Sequence, residues 1–168
     1  FVTVTRPVFC NESGSTLRFM IPLFSLTAQK VRFTGAGRLF DRPQAIYQML
    51  FERQGLQFEQ TPEGITIFGR LRPGGFTLPG DVSSQFISGL LFALPLLAGD
   101  STLHLIPPVE SRSYIEMTRA AQRRFGVESR WQDENTLFIP GGQKYRPCDY
   151  TVEGDYSQAA FPAVSYTH

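Results

Sequence analysis

Histidine and cysteine are both scarce in this chain: its 168 residues include two of each, His104, His168, Cys10 and Cys148. Two cysteines far apart and two histidines give no metal-ligand spacing and too few soft ligands for a zinc site. No metal and no cofactor is expected, and thiols so placed read as reduced, in a cytoplasmic protein. Charge of one sign is lacking as well. Sixteen basic against fifteen acidic residues leave a net charge of +1, which argues against a polyanion-binding surface and against nucleic acid as a partner. Arg119, Arg123 and Arg124, at helical spacing, read as a solvated helix face. Long hydrophobic runs are missing too. The longest apolar stretch, Phe86 to Ala98, is interrupted by Pro95 and is too short to span a bilayer, so it reads as a buried helix and no membrane partner is expected. No secretion signal stands at the start. No nucleophilic triad suggests itself, because His104 falls within an apolar strand, where a packed or edge histidine is the plainer reading. Gly35-Ala36-Gly37 lacks a third glycine and is soon followed by Pro43, which removes a dinucleotide loop.

What is present is a repeat. At 42% hydrophobic and 13% aromatic the chain can bury a core for one domain or a little more. A Ser-rich turn, Glu12-Ser13-Gly14-Ser15-Thr16-Leu17-Arg18, opens an apolar helix; Gly80-Asp81-Val82-Ser83-Ser84-Gln85-Phe86 does the same, and Gly154-Asp155-Tyr156-Ser157 starts to do so again. Spacings are regular: Asp155 follows Asp81 by 74 residues, Arg112 follows Arg42 by 70 and Gly126 follows Gly55 by 71. After each opening helix comes a β-rich run, Lys30 to Thr34 and Ser101 to Ile106. A basic turn and a second helix follow, Asp41-Arg42-Pro43 leading into Ile46, Tyr47, Leu50 and Phe51, and Ser111-Arg112-Ser113 leading into Tyr114, Ile115, Met117 and Thr118. Both helices run out at a glycine, Gly55 and Gly126. Two strands close each unit, Leu56 to Glu59 with Ile65 to Phe68, then Val127 to Trp131 with Thr136 to Ile139, and Gly74-Gly75 and Gly141-Gly142 turn the chain back. The unit is helix, strand, helix, strand, strand, with one further strand at its edge. A strand-like run, Phe1 to Thr5, begins the chain.

The Ser-rich turns carry the chemistry. A helix N-terminus offers unpaired N–H groups and partial positive charge, and serine hydroxyls add donors without bulk, which suits an anion. Gly14 lets a ligand oxygen approach the main chain, while Ser83, Ser84 and Gln85 offer two hydroxyls and a carboxamide. The plainer alternatives are that Asp81 or Ser83 simply caps its helix and that Arg42 makes a surface salt bridge with Asp41 or another carboxylate. Equivalent anion donors in tiled units favour the binding reading over the plain one.

Residues Gly80 to Leu91, GDVSSQFISGLL, closely resemble the signature of EPSP synthase (3-phosphoshikimate 1-carboxyvinyltransferase). They are flanked in the expected order by Glu12 to Phe19, Asp41-Arg42-Pro43, Val109 to Ile115 and Val152-Glu153-Gly154-Asp155. The resemblance implies a mixed α/β fold of repeated βαβαββ units around a pseudo-threefold axis, the α–β prism of the enolpyruvyl transferases. It implies that residues 1–153 are most of an N-terminal, shikimate-3-phosphate-binding domain, with repeat units at about 11–80 and 81–153. Residues 154–168 then begin a third repeat or cross to a C-terminal domain. Family members transfer the enolpyruvyl group of phosphoenolpyruvate to the 5-hydroxyl of shikimate 3-phosphate in aromatic amino-acid biosynthesis.

Carried over by motif, the resemblance implies that Ser83, Ser84 and Ser111 hold the shikimate phosphate, with Gln85 between the substrates and Tyr114 beside the shikimate. Arg42 binds the phosphoenolpyruvate anion, and the Gly14 main chain lines the same pocket, where glyphosate competes in this family and where a larger residue crowds it. Two positions depart from the pattern: Glu12 stands where Asn is common and Ser113 where Pro is common. A carboxylate at Glu12 is repulsive to anionic substrates unless turned away or neutralised. The family's N-terminal lysine, serine and arginine motif is expected to precede Phe1, and its proton-transferring aspartate and glutamate to lie in the other domain. No catalytic residue is therefore assigned here, the chain alone is expected to be inactive, and its expected partner is the C-terminal half of the same protein, the whole being a monomer. Two rivals stay open. The sister transferase acting on UDP-N-acetylglucosamine is expected to lack the Ser-Ser-Gln-Phe turn, and a non-catalytic anion-binding module of the same fold is expected to lack the missing lysine, aspartate and glutamate altogether.

Overall fold

The structure, a computed structural model, describes residues 6–151. The strand-like run Phe1–Thr5 and the third Ser-rich turn at 154–161 lie outside them. Two units share one order of elements. The first runs β1 (Val8–Phe9), α1 (Gly14–Phe24), β2 (Val31–Thr34), α2 (Ala45–Arg53), β3 (Gln57–Thr61) and β4 (Gly64–Phe68). The second runs β5 (Gly75–Pro79), α3 (Ser84–Ala93), β6 (Ser101–Ile106), α4 (Arg112–Arg124), β7 (Arg130–Trp131) and β8 (Thr136–Ile139). Each unit is therefore βαβαββ. The sheets match as well, ordered β1-β2-β4-β3 and β5-β6-β8-β7. In each the first two strands are parallel and the others antiparallel, so the opening helix serves as the crossover that a parallel pair requires.

One face of each sheet is buried and the other is not. In β6 the inward positions are Ser101, Leu103 and Leu105, while Thr102, His104 and Ile106 face outwards, as a side-chain period of two dictates. His104 is thus neither packed nor on an edge strand: it sits exposed on the outer face of an inner strand, with Nδ1 3.0 Å from Thr136 Oγ1. The helices lie on the inner faces and pack against one another, α1 on α3 and α3 on α4, and a single apolar cluster runs from Leu17 and Ile21 through Leu90 and Leu91 to Leu137 and Ile139.

The α1–α3 crossing joins the two units. Pro22 lies inside α1 and has no N–H for the carbonyl four residues back, that of Arg18. Tyr47 of α2 supplies the missing donor, its Oη 2.6 Å from Arg18 O and 3.2 Å from Phe86 O. Burial pushes the Tyr47 hydroxyl well above its ordinary pKa, with the Arg18 charge opposing, so it remains a donor. Gly89 makes the approach possible. A Cβ there would meet both Arg18 O and Tyr47 Oη.

The sequence expectations and the structure also part at other places. The stretch Phe86–Ala98 is helical only to Ala93, and Leu94–Leu96 form a 3-10 turn at Pro95, where the missing N–H cannot continue the α ladder. Val127 to Ser129 are not strand, because Gln143 takes the Glu128 N–H and C=O, each at 2.8 Å. Arg119 is not on a solvated face. It is buried, pairs with both oxygens of Glu116 at 2.6 and 2.8 Å, and donates to Ser129 Oγ and Ser129 O. Burial pushes the Glu116 carboxyl up, but Trp131 Nε1–H, Arg119 and Arg123 more than offset this and hold it below its ordinary value. Arg123 and Arg124 are exposed as expected. Gly55 and Gly126 end α2 and α4 with φ of 68° and 78°, the left-handed conformation that glycine adopts without a Cβ penalty.

Gly89→Ala is expected to destabilise the chain by about 1–3 kcal/mol, the range for overpacking a close-packed interior, because the new Cβ meets backbone and a buried hydroxyl. Thermal or urea unfolding measures it; an unchanged midpoint contradicts the crossing described.

Candidate functional site

The helix starts gather at one end of the molecule. Between α1 and α3 the contacts climb together, Ser15 with Gln85 and Phe19 with Phe92, and between α3 and α4 likewise, Ser88 with Thr118 and Leu91 with Gln122. The three helices therefore run in the same sense. Their N-termini, each with unpaired N–H groups and partial positive charge, open on a common side.

Gly14 is the first residue of α1, behind the cap Ser13, whose Oγ accepts the Thr16 N–H at 3.1 Å. An ideal Cβ on Gly14 would stand 3.0 Å from Arg42 Nη1 and 3.9 Å from Gln85 Oε1, so three residues from separate segments meet at one point. Arg42 follows the 3-10 turn Leu39–Asp41. Asp41 pairs with Arg38 at 3.2 Å and leaves Arg42 out of any salt bridge among the described residues, so the surface pair expected for Arg42 and Asp41 does not form. Ser83 caps α3, accepting the Gln85 N–H at 3.4 Å. Asp81 makes no capping bond. Ser84 stands at the first position of α3, and Ser111 precedes α4 without using its side chain as a cap. Neither hydroxyl makes a hydrogen bond among the described residues. Tyr114, in the first turn of α4, is 59% exposed. Gly14, Arg42 and Gln85 thus meet directly, with Ser83 and Ser84 adjoining through α3. Ser111 and Tyr114 share the same end of the helix layer, but no hydrogen bond ties them to the group.

Two residues of the cluster had no assigned role on sequence grounds, Arg18 and Gln44. Arg18 Nη1 donates to Gln85 Oε1 at 3.0 Å and Nε to Gln44 Oε1 at 3.4 Å, and the guanidinium lies 4.3 Å over the Phe86 ring. The signal was available: Gly14, Ser15 and Arg18 lie on one face of a helix at i, i+1 and i+4. Burial pulls the Arg18 pKa down from its ordinary value; Tyr47 opposes this and the charge of Arg42 adds to it. Like Arg42, Arg18 has no carboxylate partner among the described residues. Glu12, the nearby acidic departure in the turn, is turned away: its Oε1 accepts the Arg38 N–H at 3.3 Å and its side chain fills the space beside Gly37. Two guanidiniums without a carboxylate partner among the described residues, helix N–H groups and the serine hydroxyls offer donors of the kind that suit a multiply charged, oxygen-rich anion.

A cation-bearing concavity of about 760 Å³ lies on the outer face of the first sheet and is lined by Arg6, Lys30, Arg32, Glu59 and Glu63 among others. Its three cations face two carboxylates, with Arg32 3.5 Å from Glu63, and it lies on the opposite face of the sheet from the helices. Among the described residues no group of three or more potential metal ligands exists, and no helix is long and apolar enough to cross a membrane.

Residues 2–166 match the family described as EPSP synthase (3-phosphoshikimate 1-carboxyvinyltransferase). The chain belongs to the EPSP synthase family. A 3-phosphoshikimate 1-carboxyvinyltransferase of Clostridium botulinum (strain Alaska E43 / Type E3) is 44% identical over 166 residues, covering 98% of this chain and 38% of the relative. One from Clostridium perfringens (strain SM101 / Type A) is 46% identical over 158 residues, covering 93% and 37%. The chain therefore spans a little over a third of the EPSP synthases it matches. In fold it is similar to EPSP synthase from Acinetobacter baumannii, with a TM-score of 0.76 at 24% identity over 94% of this chain and 35% of that one. The mixed α/β architecture of βαβαββ units is thus the enolpyruvyl transferase fold.

Gly14→Ala provides a contrast with the helix crossing. Its Cβ meets the mobile end of Arg42 rather than backbone, and alanine is the better helix former by up to about 1 kcal/mol. Unfolding stability is expected to be unchanged or slightly raised, while the displaced Arg42 weakens inorganic phosphate binding about tenfold, equivalent to about 1.4 kcal/mol. A melting curve paired with a phosphate titration checks both; unaltered phosphate affinity contradicts the placement of Arg42.

Proposed function

We propose that this chain is the shikimate-3-phosphate-binding part of an enzyme that transfers the carboxyvinyl group of phosphoenolpyruvate to the 5-hydroxyl of shikimate 3-phosphate. The observation that carries the reading is the meeting of Gly14, Arg42, Gln85 and Arg18 at the helix starts, where no carboxylate among the described residues pairs with either guanidinium. The acidic residues closest in sequence, Glu12 and Asp41, are engaged with Arg38 instead. Family membership and the names borne by the clostridial relatives point the same way.

In the proposed reaction the 5-hydroxyl gives up its proton to a base and its oxygen bonds to C2 of phosphoenolpyruvate, while the methylene carbon of phosphoenolpyruvate takes a proton. The tetrahedral intermediate then loses inorganic phosphate and a proton from the methyl group, giving 5-enolpyruvylshikimate 3-phosphate. Ser83, Ser84 and Ser111 hold the shikimate phosphate, Tyr114 packs beside the ring, Gln85 lies between the substrates, and Arg42 with the Gly14 main chain receives phosphoenolpyruvate. Fixed donors in a cleft closed to water stabilise charge far better than the same groups in bulk solvent. The groups that move protons belong to the remaining part of the protein, with which this chain closes over the substrates, and the chain alone does not turn over. The reading makes residues 1–153 most of one domain, and the whole enzyme a cytoplasmic monomer.

Calorimetric titration with shikimate 3-phosphate tests this. Saturable binding that weakens with added salt, and that falls at least tenfold in a Ser84→Ala, Gln85→Ala double variant, is expected, since hydrogen bonds to a charged group contribute about 1.5–3 kcal/mol. Binding that survives in the variant, or none by the folded parent chain, overturns the half-site reading.

A further inference from the structure

Gln85 is held at both ends of its carboxamide. The oxygen accepts from Arg18 Nη1 at 3.0 Å and the nitrogen donates to Ser15 Oγ at 2.7 Å. The amide cannot flip without setting its NH2 against a guanidinium, which has donors only. One N–H of Gln85 has no partner among the described residues, and the carbonyl, the end that repels an anion, is occupied by Arg18. The guanidinium that imposes this is itself fixed by Gln44 Oε1 at 3.4 Å and by the Phe86 ring beneath it. Gln44 is buried and also donates to Arg42 O at 3.4 Å. One chain of contacts therefore connects the backbone of Arg42 with Gln44, Arg18, Gln85 and Ser15.

We infer that Arg18 is a positioning residue that fixes the orientation of the Gln85 carboxamide, so that the bound anion meets an N–H and never the carbonyl. This rests on the proposed shikimate-3-phosphate site and adds to it a residue that acts through Gln85. Charge alone does not suffice for the role. A planar fork that reaches Gln44 and Gln85 from separate nitrogens has no lysine equivalent.

Two readouts on the same chain test it. In the first, the side-chain amide signals of Gln85 are followed by NMR in the ligand-free parent, Arg18→Met and Arg18→Lys. Both variants are expected to shift the Gln85 pair and collapse its distinct environment, while the amides of Gln57 and Gln132, which make no contact with Arg18, stay in place. In the second, shikimate 3-phosphate is titrated calorimetrically into Arg18→Met, Gln85→Ala and the double variant. Each single change is expected to weaken binding about tenfold, and the double change no more than either alone, because both remove the same presented N–H. Arg18→Lys is expected to keep the defect despite keeping its charge. A Gln85 pair that does not move, a double variant about 100-fold weaker, or full recovery by lysine each overturns the inference. If the parent fails to bind shikimate 3-phosphate, the half-site reading falls while the amide signals still decide the role of Arg18. Should Arg18→Met not fold, Arg18→Lys carries both readouts.

Discussion

The contact between α1 and α3 is the constraint from which the remaining structure follows. A proline within α1 frees the carbonyl of Arg18, a tyrosine from α2 caps it at 2.6 Å, and a glycine in α3 lets the two helix backbones close on that point. One buried hydroxyl thereby ties three helices from two repeat units together. An orphaned carbonyl in the interior would cost the desolvation of a strong acceptor, about 1–3 kcal/mol, so the arrangement cannot slide without penalty. The side chain of the same Arg18 emerges towards the helix starts, and the crossing that joins the units also sets where its guanidinium lies. Stability and site geometry here share a residue.

Parallel helices make the site possible. Since α1, α3 and α4 climb in one sense, their unpaired N–H groups add at a common end instead of cancelling, and the chain spends few of the polar groups there on its own structure. Ser13 and Ser83 cap, whereas the hydroxyls of Ser84 and Ser111 make no internal bond among the described residues. The acidic side chains next to Gly14 and Arg42 in sequence are engaged elsewhere: Glu12 and Asp41 both turn to Arg38. A modest net charge of +1 thus conceals a strongly cationic point. Whole-chain charge and local field are different quantities.

Most of the architecture was legible in the sequence because the repeat made every signal appear twice. The Ser-rich turns, both terminating glycines and the order of elements could be read from spacing alone. The placement of Gly14 beside Arg42 and Gln85 was implied by resemblance rather than derived. What escaped reading was tertiary. Tyr47 stood in a helical apolar stripe and looked like ordinary core, since nothing local says that its hydroxyl answers the gap left by Pro22 in another helix. Arg119 shares helical spacing with two exposed arginines, and it is covered only when Ser129, just before β7, and Trp131, within it, arrive at Arg119 and its partner Glu116. Arg18 lay inside a recognised motif yet had no role, because its partners Gln44 and Gln85 stand 26 and 67 residues away.

The central claim is that the helix starts of two tiled units form one anion site. Amide chemical-shift mapping of the 15N-labelled chain during titration with shikimate 3-phosphate tests it most directly. The account predicts saturable shifts concentrated at Gly14 and Ser15, at Ser84 and Gln85, and at Ser111 and Arg112, all following a single binding curve. Shifts centred instead on Arg6, Lys30 and Arg32 at the outer face of the first sheet, or separate curves for the helix starts, would contradict it.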